Sequence, residues 1–232
     1  KVVSEIQAIK ALWHRPFIEL ADDNTFANRA HGKRLVRAMA KEHVRWFTET
    51  DISIAEDEEL LAMLRDSGCA QVLIGFEHPT RRGVEGLEQK ANWKARQVDG
   101  YLEAIERIQR HGISVNGCFI LGLDGTGEES FDDVLNFVDQ SGLYEVQVTL
   151  QTPFPGTPLY DRLLRKGRLL EPTAWERCTL FDVNFEPEGM SATTLAEGFR
   201  KLVGNVYSDA RVQARRKAFQ TQLRAAPRSA LT

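Results

Sequence analysis

V-L-I-G-F-E at residues 72–77 and F-I-L-G-L-D at residues 119–124 decide the fold of this chain. Each is a short apolar run followed by glycine and, two positions later, by an acidic residue. Apolar runs of this length, rich in β-branched and aromatic residues, predict buried strands. Glycine lets a ligand approach the backbone closely, and a carboxylate then follows beside it. Both segments therefore predict strands that end at a functional surface.

The sequence around these segments alternates between strand and helix periodicity. The two segments extend to strands at residues 70–77 and 114–123, and further strands are predicted at residues 17–21, 45–50 and 145–151. Amphipathic helices are predicted at residues 3–13, 33–42, 57–66, 101–112 and 126–142. Thr126 and Glu129 have the spacing of a capping box that opens the last helix. The stretch 78–98 is predicted to be irregular. Such alternation predicts a parallel sheet covered by helices.

The ends of the predicted strands carry polar residues one after another, namely Asp22 and Asp23, Thr48 to Asp51, Glu77, Asp124, and Gln151 to Thr152. An open doubly wound sheet and a closed or partial barrel both satisfy the alternation. In a barrel the strand ends converge on one mouth, where such proteins hold their functional groups. We therefore expect an α/β fold of the TIM-barrel type, a partial parallel (βα) barrel.

Carboxylates dominate the predicted strand ends. They suit either acid/base chemistry or binding of a hard metal ion, and the candidates are Glu19, Asp22, Asp23 and Glu77. The alternative for each is helix capping, as expected for Asp57.

Composition excludes several classes of protein. The 232 residues carry a net charge of -3, which argues against a general nucleic-acid binder. No stretch approaches the ~18 consecutive apolar residues of a membrane span. The three cysteines, Cys69, Cys118 and Cys178, are widely spaced and give no metal site, which favours a reduced, cytoplasmic protein. Cys69 and Cys118 are expected to be small buried hydrophobic residues.

The strand–helix alternation stops after the last predicted strand, and the sequence becomes rich in proline. T-P-F-P-G-T-P-L-Y at residues 152–160 is a proline-rich turn that leads into a short helix at residues 159–166. We expect the partial barrel to occupy residues 1–170 and a mostly helical extension to occupy residues 171–232.

Taken in order, several segments resemble the radical SAM superfamily, especially the group that pairs the catalytic barrel with a cobalamin-binding domain. The matching segments are F-I-E-L-A-D-D-N-T-F (17–26), D-I-S-I-A-E-D-E-E-L-L (51–61), S-G-C-A-Q-V-L-I-G-F-E (67–77), H-G-I-S-V-N-G-C-F-I-L-G-L-D (111–124), P-F-P-G-T-P-L-Y (153–160) and K-G-R-L-L (166–170). The resemblance covers roughly residues 1 to 170, and the order and spacing of the segments make it specific.

The resemblance implies S-adenosylmethionine and a 4Fe-4S cluster as cofactors. Resemblance to the group with a cobalamin-binding domain implies cobalamin as a further cofactor of the parent protein. In the family, a C-x-x-x-C-x-x-C loop after the first of six strands binds the cluster through thiolates. This sequence contains no such triplet. By the order of the segments, Lys1 falls in the helix after that loop. The first βα unit is therefore expected upstream, and the chain alone is expected to be inactive.

Residue by residue, the resemblance also implies a cofactor site. Glu19 to Asp23 ends the strand that approaches the methionine amino group, with Asp22 and Asp23 the best candidates. Thr50 is expected to reach the ribose or the carboxylate, and Gly75 and Glu77 to line the cofactor. The adenine is expected beside Leu121 and Gly122, with Gln151 closing the barrel next to them.

The resemblance predicts part of a radical SAM iron-sulfur oxidoreductase or methyltransferase. Two alternatives remain, a non-catalytic binding scaffold and an ordinary barrel hydrolase or lyase that uses Asp22 and Glu77. The expected partners are the small-molecule cofactor, an unknown substrate and upstream cluster-binding and cobalamin-binding domains. Neither nucleic acid nor a membrane is expected. Self-association is expected through the exposed edge of the barrel.

Overall fold

In the computed structural model of the protein, residues 1–87 and 92–225 are described. The strands are β1 (Phe17–Leu20), β2 (Arg45–Thr50), β3 (Cys69–Glu77), β4 (Ser114–Leu121) and β5 (Glu145–Leu150). The helices are α1 (Val2–Leu12), α2 (Arg29–Met39), α3 (Glu58–Asp66), α4 (Arg81–Val84), α5 (Trp93–Gln97), α6 (Tyr101–Arg110), α7 (Glu129–Ser141), α8 (Pro158–Arg165), α9 (Ala192–Val206) and α10 (Asp209–Ala225).

The strands form one sheet, and every neighbouring pair is parallel. Their order in space, β1-β2-β3-β4-β5, is their order in the chain. A doubly wound sheet would reverse direction at a switch point, whereas successive βα units of a barrel add strands in sequence. The prediction of a partial parallel barrel is confirmed.

The core lies between one face of this sheet and the surrounding helices. Strand residues on that face are fully buried, among them Val72, Ile74, Phe76, Val115 and Phe119. Phe76 packs edge-on against Tyr101 of α6, with centroids 4.8 Å apart, and stacks on Phe119 at 5.7 Å. Burying each such side chain contributes about 2 to 3 kcal/mol. Because side chains alternate along a strand, Leu73, Gly75 and Glu77 face the opposite, concave side.

Three predicted boundaries differ from the structure for local reasons. The helix predicted at residues 33–42 begins earlier, at Arg29, because the Asn28 side chain caps it by accepting a hydrogen bond from the His31 amide at 3.0 Å. Its last predicted turn, Ala40–Glu42, is a separate 3₁₀ helix. The strand predicted to reach residue 123 ends at Leu121, because Gly122 adopts a φ of 81° that no strand continues.

The predicted capping box of Thr126 and Glu129 is wrong. Helix α7 begins at Glu129 itself and has no side-chain cap. The Thr126 hydroxyl instead donates to the carbonyl of Leu123 at 2.7 Å, and the Glu129 carboxylate accepts from the Gly127 amide at 3.1 Å. Both side chains stabilise the turn before the helix.

The connection after β3, predicted to be irregular, contains the short helices α4 and α5. Thr80 caps α4 by accepting from the amide of Gly83 at 3.3 Å. Residues 88–91 of this connection lie outside the described part of the chain. Helix α5 brings Trp93 and Lys94 over the concave side of the sheet.

Helix α9 packs against α7 and β5. A Cβ at Gly122 would lie 2.8 Å from Leu195 of α9, so the glycine permits this close packing. After α9, the hydroxyl of Tyr207 donates to the carbonyl of Val146 in β5 at 2.8 Å. The division of the chain at residue 170 stays a prediction. Among the described residues, no helix has both the length and the apolar character needed to cross a membrane.

Candidate functional site

A cleft of about 460 Å³ opens on the concave side, where the first three strands end. Parallel strands bring their carboxyl ends to one edge, so the residues after different strands meet there. The cleft is lined by Asp23, Asn24, Glu49, Thr50, Asp51, Leu73, Gly75, Glu77, Trp93, Lys94 and Cys118. Carboxylates are the most frequent charged groups in this lining.

The structure brings together four of the nine residues predicted from the sequence, namely Asp23, Thr50, Gly75 and Glu77. Glu19 lies on β1 close enough to Glu49 to influence its ionisation. Outside the lining lie Asp22, Leu121, Gly122 and Gln151. The last three belong to the adjoining ends of β4 and β5, where the Gln151 amide donates to the Leu121 carbonyl at 2.8 Å.

Gln151 carries an unsatisfied polar atom. Its side chain is buried, yet its Oε1 has no hydrogen-bond partner within the described residues. A buried acceptor without a donor is unfavourable. Gly122 has a packing role that accounts for the glycine, because Leu195 and Phe185 occupy the space of a side chain.

Glu77 has an unusual backbone. Its φ is 62°, in the left-handed region that residues with a side chain rarely adopt. The His78 amide donates to the Phe76 carbonyl at 2.8 Å, which closes a three-residue turn around Glu77. The pairing of β3 with β4 also slips between Gly75 and Glu77. The slip and the turn together set the direction in which the carboxylate leaves the strand end.

Lys94 of α5 contacts this strand end directly. Its ammonium donates to the Gly75 carbonyl at 2.9 Å and forms an ion pair with the Glu77 carboxylate. No periodicity marks a lysine in a short helix of a long connection, so the sequence alone does not indicate Lys94.

Asp51 is held by a hydrogen-bond network at the end of β2. Its carboxylate accepts from the Asn24 amide group at 2.7 Å and from the Ser53 backbone amide at 2.8 Å. Burial alone would raise the pKa of Asp51, but these hydrogen bonds outweigh it and lower the pKa. Thr50 joins the network through its hydroxyl, which donates to Asn24 Oδ1 at 3.4 Å. Asp51 is therefore a fixed anion in the wall of the cleft.

Glu49 belongs to the polar strand end predicted at Thr48 to Asp51, where Thr50 is the site candidate. The Glu49 side chain forms no hydrogen bond or ion pair within residues 1–87 and 92–225. Burial raises the pKa of Glu49, and the nearby carboxylates of Asp23 and Glu19 raise it further. Glu49 stands between the buried Thr48 and Thr50 and must therefore face the other side of the sheet.

Cys118 differs from the expectation of a buried hydrophobic residue. It lines the cleft, with its Sγ 3.2 Å from Gln147 Oε1. Burial raises the pKa of this thiol to about 12, which keeps it protonated at neutral pH. Cys69 is buried as expected, and burial raises the pKa of its thiol as well.

The three cysteines do not fit an iron-sulfur cluster. Thiolates are the ligands of such clusters, and the two thiols on the sheet, Cys69 and Cys118, have raised pKa values. Within the residues that the structure describes, no three side chains of histidine, cysteine, aspartate or glutamate are grouped to hold a metal ion. The carboxylate-lined cleft instead suits an organic ligand with positive charge and hydrogen-bond donors.

Comparison with known proteins shows the family of this chain. The Radical SAM superfamily model matches residues 1–138, more than half of the chain, and a domain of unknown function (DUF4070) matches residues 157–231. Bacteriochlorophyllide d C-12(1)-methyltransferase of Chlorobaculum tepidum is 27% identical over 194 residues, which cover 84% of this chain and 41% of that protein. Hopanoid C-2 methylase of Rhodopseudomonas palustris is 26% identical over 176 residues, which cover 73% of this chain and 33% of that protein. The chain thus spans less than half of these curated relatives.

A solved structure shows the same fold. It is the radical S-adenosylmethionine methyltransferase TsrM from Kitasatospora setae, with cobalamin and a [4Fe-4S] cluster bound. The TM-score is 0.61 at 16% sequence identity, with 97% of this chain and 55% of TsrM covered. The family match over residues 1–138, together with the sequential parallel strands, identifies this chain as a member of the radical SAM superfamily.

Proposed function

We propose that the cleft binds S-adenosylmethionine and that the chain supplies this part of the active site to a radical SAM methyltransferase. The observation that carries the proposal is the convergence of Asp23, Glu49 and Glu77 around Gly75 at the ends of neighbouring strands. Radical SAM enzymes use S-adenosylmethionine together with a 4Fe-4S cluster. The reaction itself belongs to the longer protein, of which relatives suggest that this chain is a part.

Charge supports this ligand. S-adenosylmethionine carries a sulfonium and an ammonium group, and the cleft presents more carboxylates than cations. At an effective dielectric of about 20, two opposite unit charges 4 Å apart attract by about 4 kcal/mol. Binding of a cation also relieves the repulsion that Asp23 and Glu19 exert on Glu49.

Each side chain receives a role that its chemistry supports. Asp23 and Glu49 are acceptors for the cationic groups, with Asp22 and Glu19 strengthening the negative potential. Glu77 accepts hydrogen bonds from the vicinal ribose hydroxyls, a task that suits a carboxylate at a strand end. Thr50 and Gly75 complete the wall, and the adenine borders Leu121, Gly122 and Gln151. The orphaned Oε1 of Gln151 supports a donor on the ligand there.

The cluster is proposed to come from another part of the parent protein. S-adenosylmethionine fits the residues present, whereas the cysteines of this chain do not fit a cluster. Upstream cluster-binding and cobalamin-binding domains are therefore part of the proposal, and the greater length of the relatives supports them. When bound, the cluster would supply the electron that cleaves the sulfonium.

Methyl transfer is favoured over other outcomes by the names of the relatives, which include a bacteriochlorophyllide d C-12(1)-methyltransferase and a hopanoid C-2 methylase. Cobalamin is bound by the structural relative TsrM and is proposed here as a second cofactor. The free cysteines support a reducing, cytoplasmic setting. A hydrolase that pairs Asp22 with Glu77 is not favoured, since Asp22 lies outside the cleft lining.

Calorimetric titration of the full chain tests the proposal. S-adenosylmethionine is expected to bind about tenfold more tightly than S-adenosylhomocysteine, which lacks the sulfonium charge; this ratio corresponds to about 1.4 kcal/mol. Glu49→Gln is expected to reduce that ratio, while Glu106→Gln, on the exposed face of α6, leaves it unchanged. Equal affinities for the two ligands, or binding of neither, would contradict the proposal.

A further inference from the structure

In the described part of the connection between β3 and α6, Lys94 of α5 brings a cation to the cleft. Lys94 bridges two groups of the same strand end, the carbonyl of Gly75 and the carboxylate of Glu77. The ammonium and carboxylate side chains are only 22% and 21% exposed, so this ion pair is shielded from water. Shielded pairs keep their geometry better than exposed ones, because less solvent screens them.

Glu77 requires such a partner because its backbone is strained. A side chain in the left-handed region costs about 1 to 3 kcal/mol, and strain of this kind persists only where neighbours enforce it. The amide of His78 holds the turn from one side through its bond to Phe76. Any relaxation of φ at Glu77 would swing its carboxylate out of the cleft wall.

His78 fixes the far side of this turn. Its Nδ1 accepts from the Thr80 backbone amide at 3.2 Å and lies 2.9 Å from the Thr80 hydroxyl. The ring is buried beneath Gly83, where a side chain would collide with it. The backbone after Glu77 is therefore anchored, and the carboxylate end is what Lys94 holds.

We propose that Lys94 is a positioning residue, which holds the Glu77 carboxylate at the orientation that receives the ribose hydroxyls of the bound adenosyl group. The proposal rests on the proposed function, since it takes the adenosyl ligand as given. Lys94 neutralises Glu77, and hydrogen bonds hold Asp51. This leaves Asp23 and Glu49 as the cleft carboxylates without a side-chain partner among the described residues. The carboxylates thereby divide their work: Glu77 accepts from neutral hydroxyls, and Asp23 and Glu49 attract the cationic part of the ligand.

Lys10 offers a matched control. It too is a lysine that bridges a glutamate carboxylate and a main-chain carbonyl, both of Glu42, at 3.2 and 2.7 Å. It lies on α1, away from the cleft, and its contacts join α1 to the 3₁₀ turn after α2. Lys10→Met therefore removes a similar contact without touching the proposed site.

The test compares two ligands across three variants of the full chain. The ligands are S-adenosylhomocysteine and its 2′,3′-dideoxy analogue, and the variants are Lys94→Met, Lys94→Arg and Lys10→Met. Lys94→Met is expected to weaken the binding of S-adenosylhomocysteine about tenfold, or about 1.4 kcal/mol. Its affinity for the dideoxy analogue is expected to be unchanged. Lys94→Arg should restore most of the affinity, and Lys10→Met should behave as wild type.

Two results would overturn the positioning role. One is wild-type affinity in Lys94→Met, and the other is an equal loss for both ligands, which would mean a direct contact elsewhere or a loosened structure. If the wild-type chain binds neither ligand, the proposed function and the ribose role fail together. Amide exchange without ligand then separates the two ideas: Lys94→Met should speed exchange at His78 and Lys10→Met should not, while unchanged exchange shows that Lys94 does not hold the turn.

Discussion

His78 shows how a single buried side chain makes the stability of the turn depend on pH. The ring is 1% exposed, and burial lowers its pKa from 6.5 to about 4. Because Nδ1 accepts from the Thr80 amide, a second proton on the ring would break that hydrogen bond and place a charge in the interior, which the Glu129 carboxylate offsets only in part. The neutral form is therefore the one that the folded chain requires.

Acidification is predicted to destabilise the chain through this residue. Because the pKa is lower in the folded than in the unfolded state, the unfolded state binds more protons between pH 6.5 and 4. Stability should fall as the pH drops through this window, by up to about 3 kcal/mol. Urea unfolding at several pH values measures the free energy of unfolding across this window. His78→Asn should flatten the curve in this window, and His31→Asn, on the exposed face of α2, should not; equal slopes in the wild type and His78→Asn would contradict the prediction.

At the scale of elements, the junction of β4 with α9 depends on a glycine for two separate reasons. Gly122 has a φ of 81°, and a side chain there would meet Leu195 at 2.8 Å and Phe185 at 3.0 Å. Gly142, at the end of α7, has a similar φ of 63° but open space around it. Substitutions at Gly122 and Gly142 can therefore be compared to separate the cost of the backbone conformation from the cost of packing.

Gly122→Ala is predicted to destabilise the chain more than Gly142→Ala does. Both substitutions pay about 1 to 2 kcal/mol for the left-handed backbone, and Gly122→Ala adds an overpacking cost of about 1 to 3 kcal/mol. The free energies of unfolding in urea give the comparison directly. The same loss in both variants would show that α9 moves aside and does not pack tightly on the strand end.

The elements that the sequence predicts well are those with a regular apolar period. Strand β2 lies at the predicted residues 45–50, and Leu60, Leu61 and Leu64 form the buried stripe of α3. The short helices α4 and α5 have no regular apolar period and were not predicted. Lys94 was missed because an ion pair that joins residues 17 positions apart leaves no local pattern. Glu49 and Thr50 both belong to the polar strand end predicted from the sequence, and alternation along the strand places Glu49 on the face opposite to the buried Thr48 and Thr50.

At the scale of the whole molecule, the sheet ends in an edge at β1. Within the described residues, β1 pairs only with β2, and its first residue, Phe17, is 57% exposed. Unpaired backbone groups beside exposed apolar side chains favour pairing with another chain.

We therefore predict that the chain self-associates through the β1 edge. Sedimentation velocity should show a mass that rises with protein concentration, and Phe17→Lys should reduce that rise because edge lysines oppose pairing. Leu164→Lys, at an exposed position of α8, is the matched control. A monomer at all concentrations, or an equal effect of both substitutions, would contradict the prediction.

In the proposed function, one cleft at the strand ends binds S-adenosylmethionine. The most direct measurement is a titration of the full chain with this ligand, followed by backbone amide chemical shifts. We expect saturable shifts that cluster at residues 23–24, 49–51 and 75–78. Glu77→Gln is expected to reduce these shifts at a given ligand concentration. Shifts confined to the groove between α7 and α9, or no saturable shifts, would contradict the proposed function.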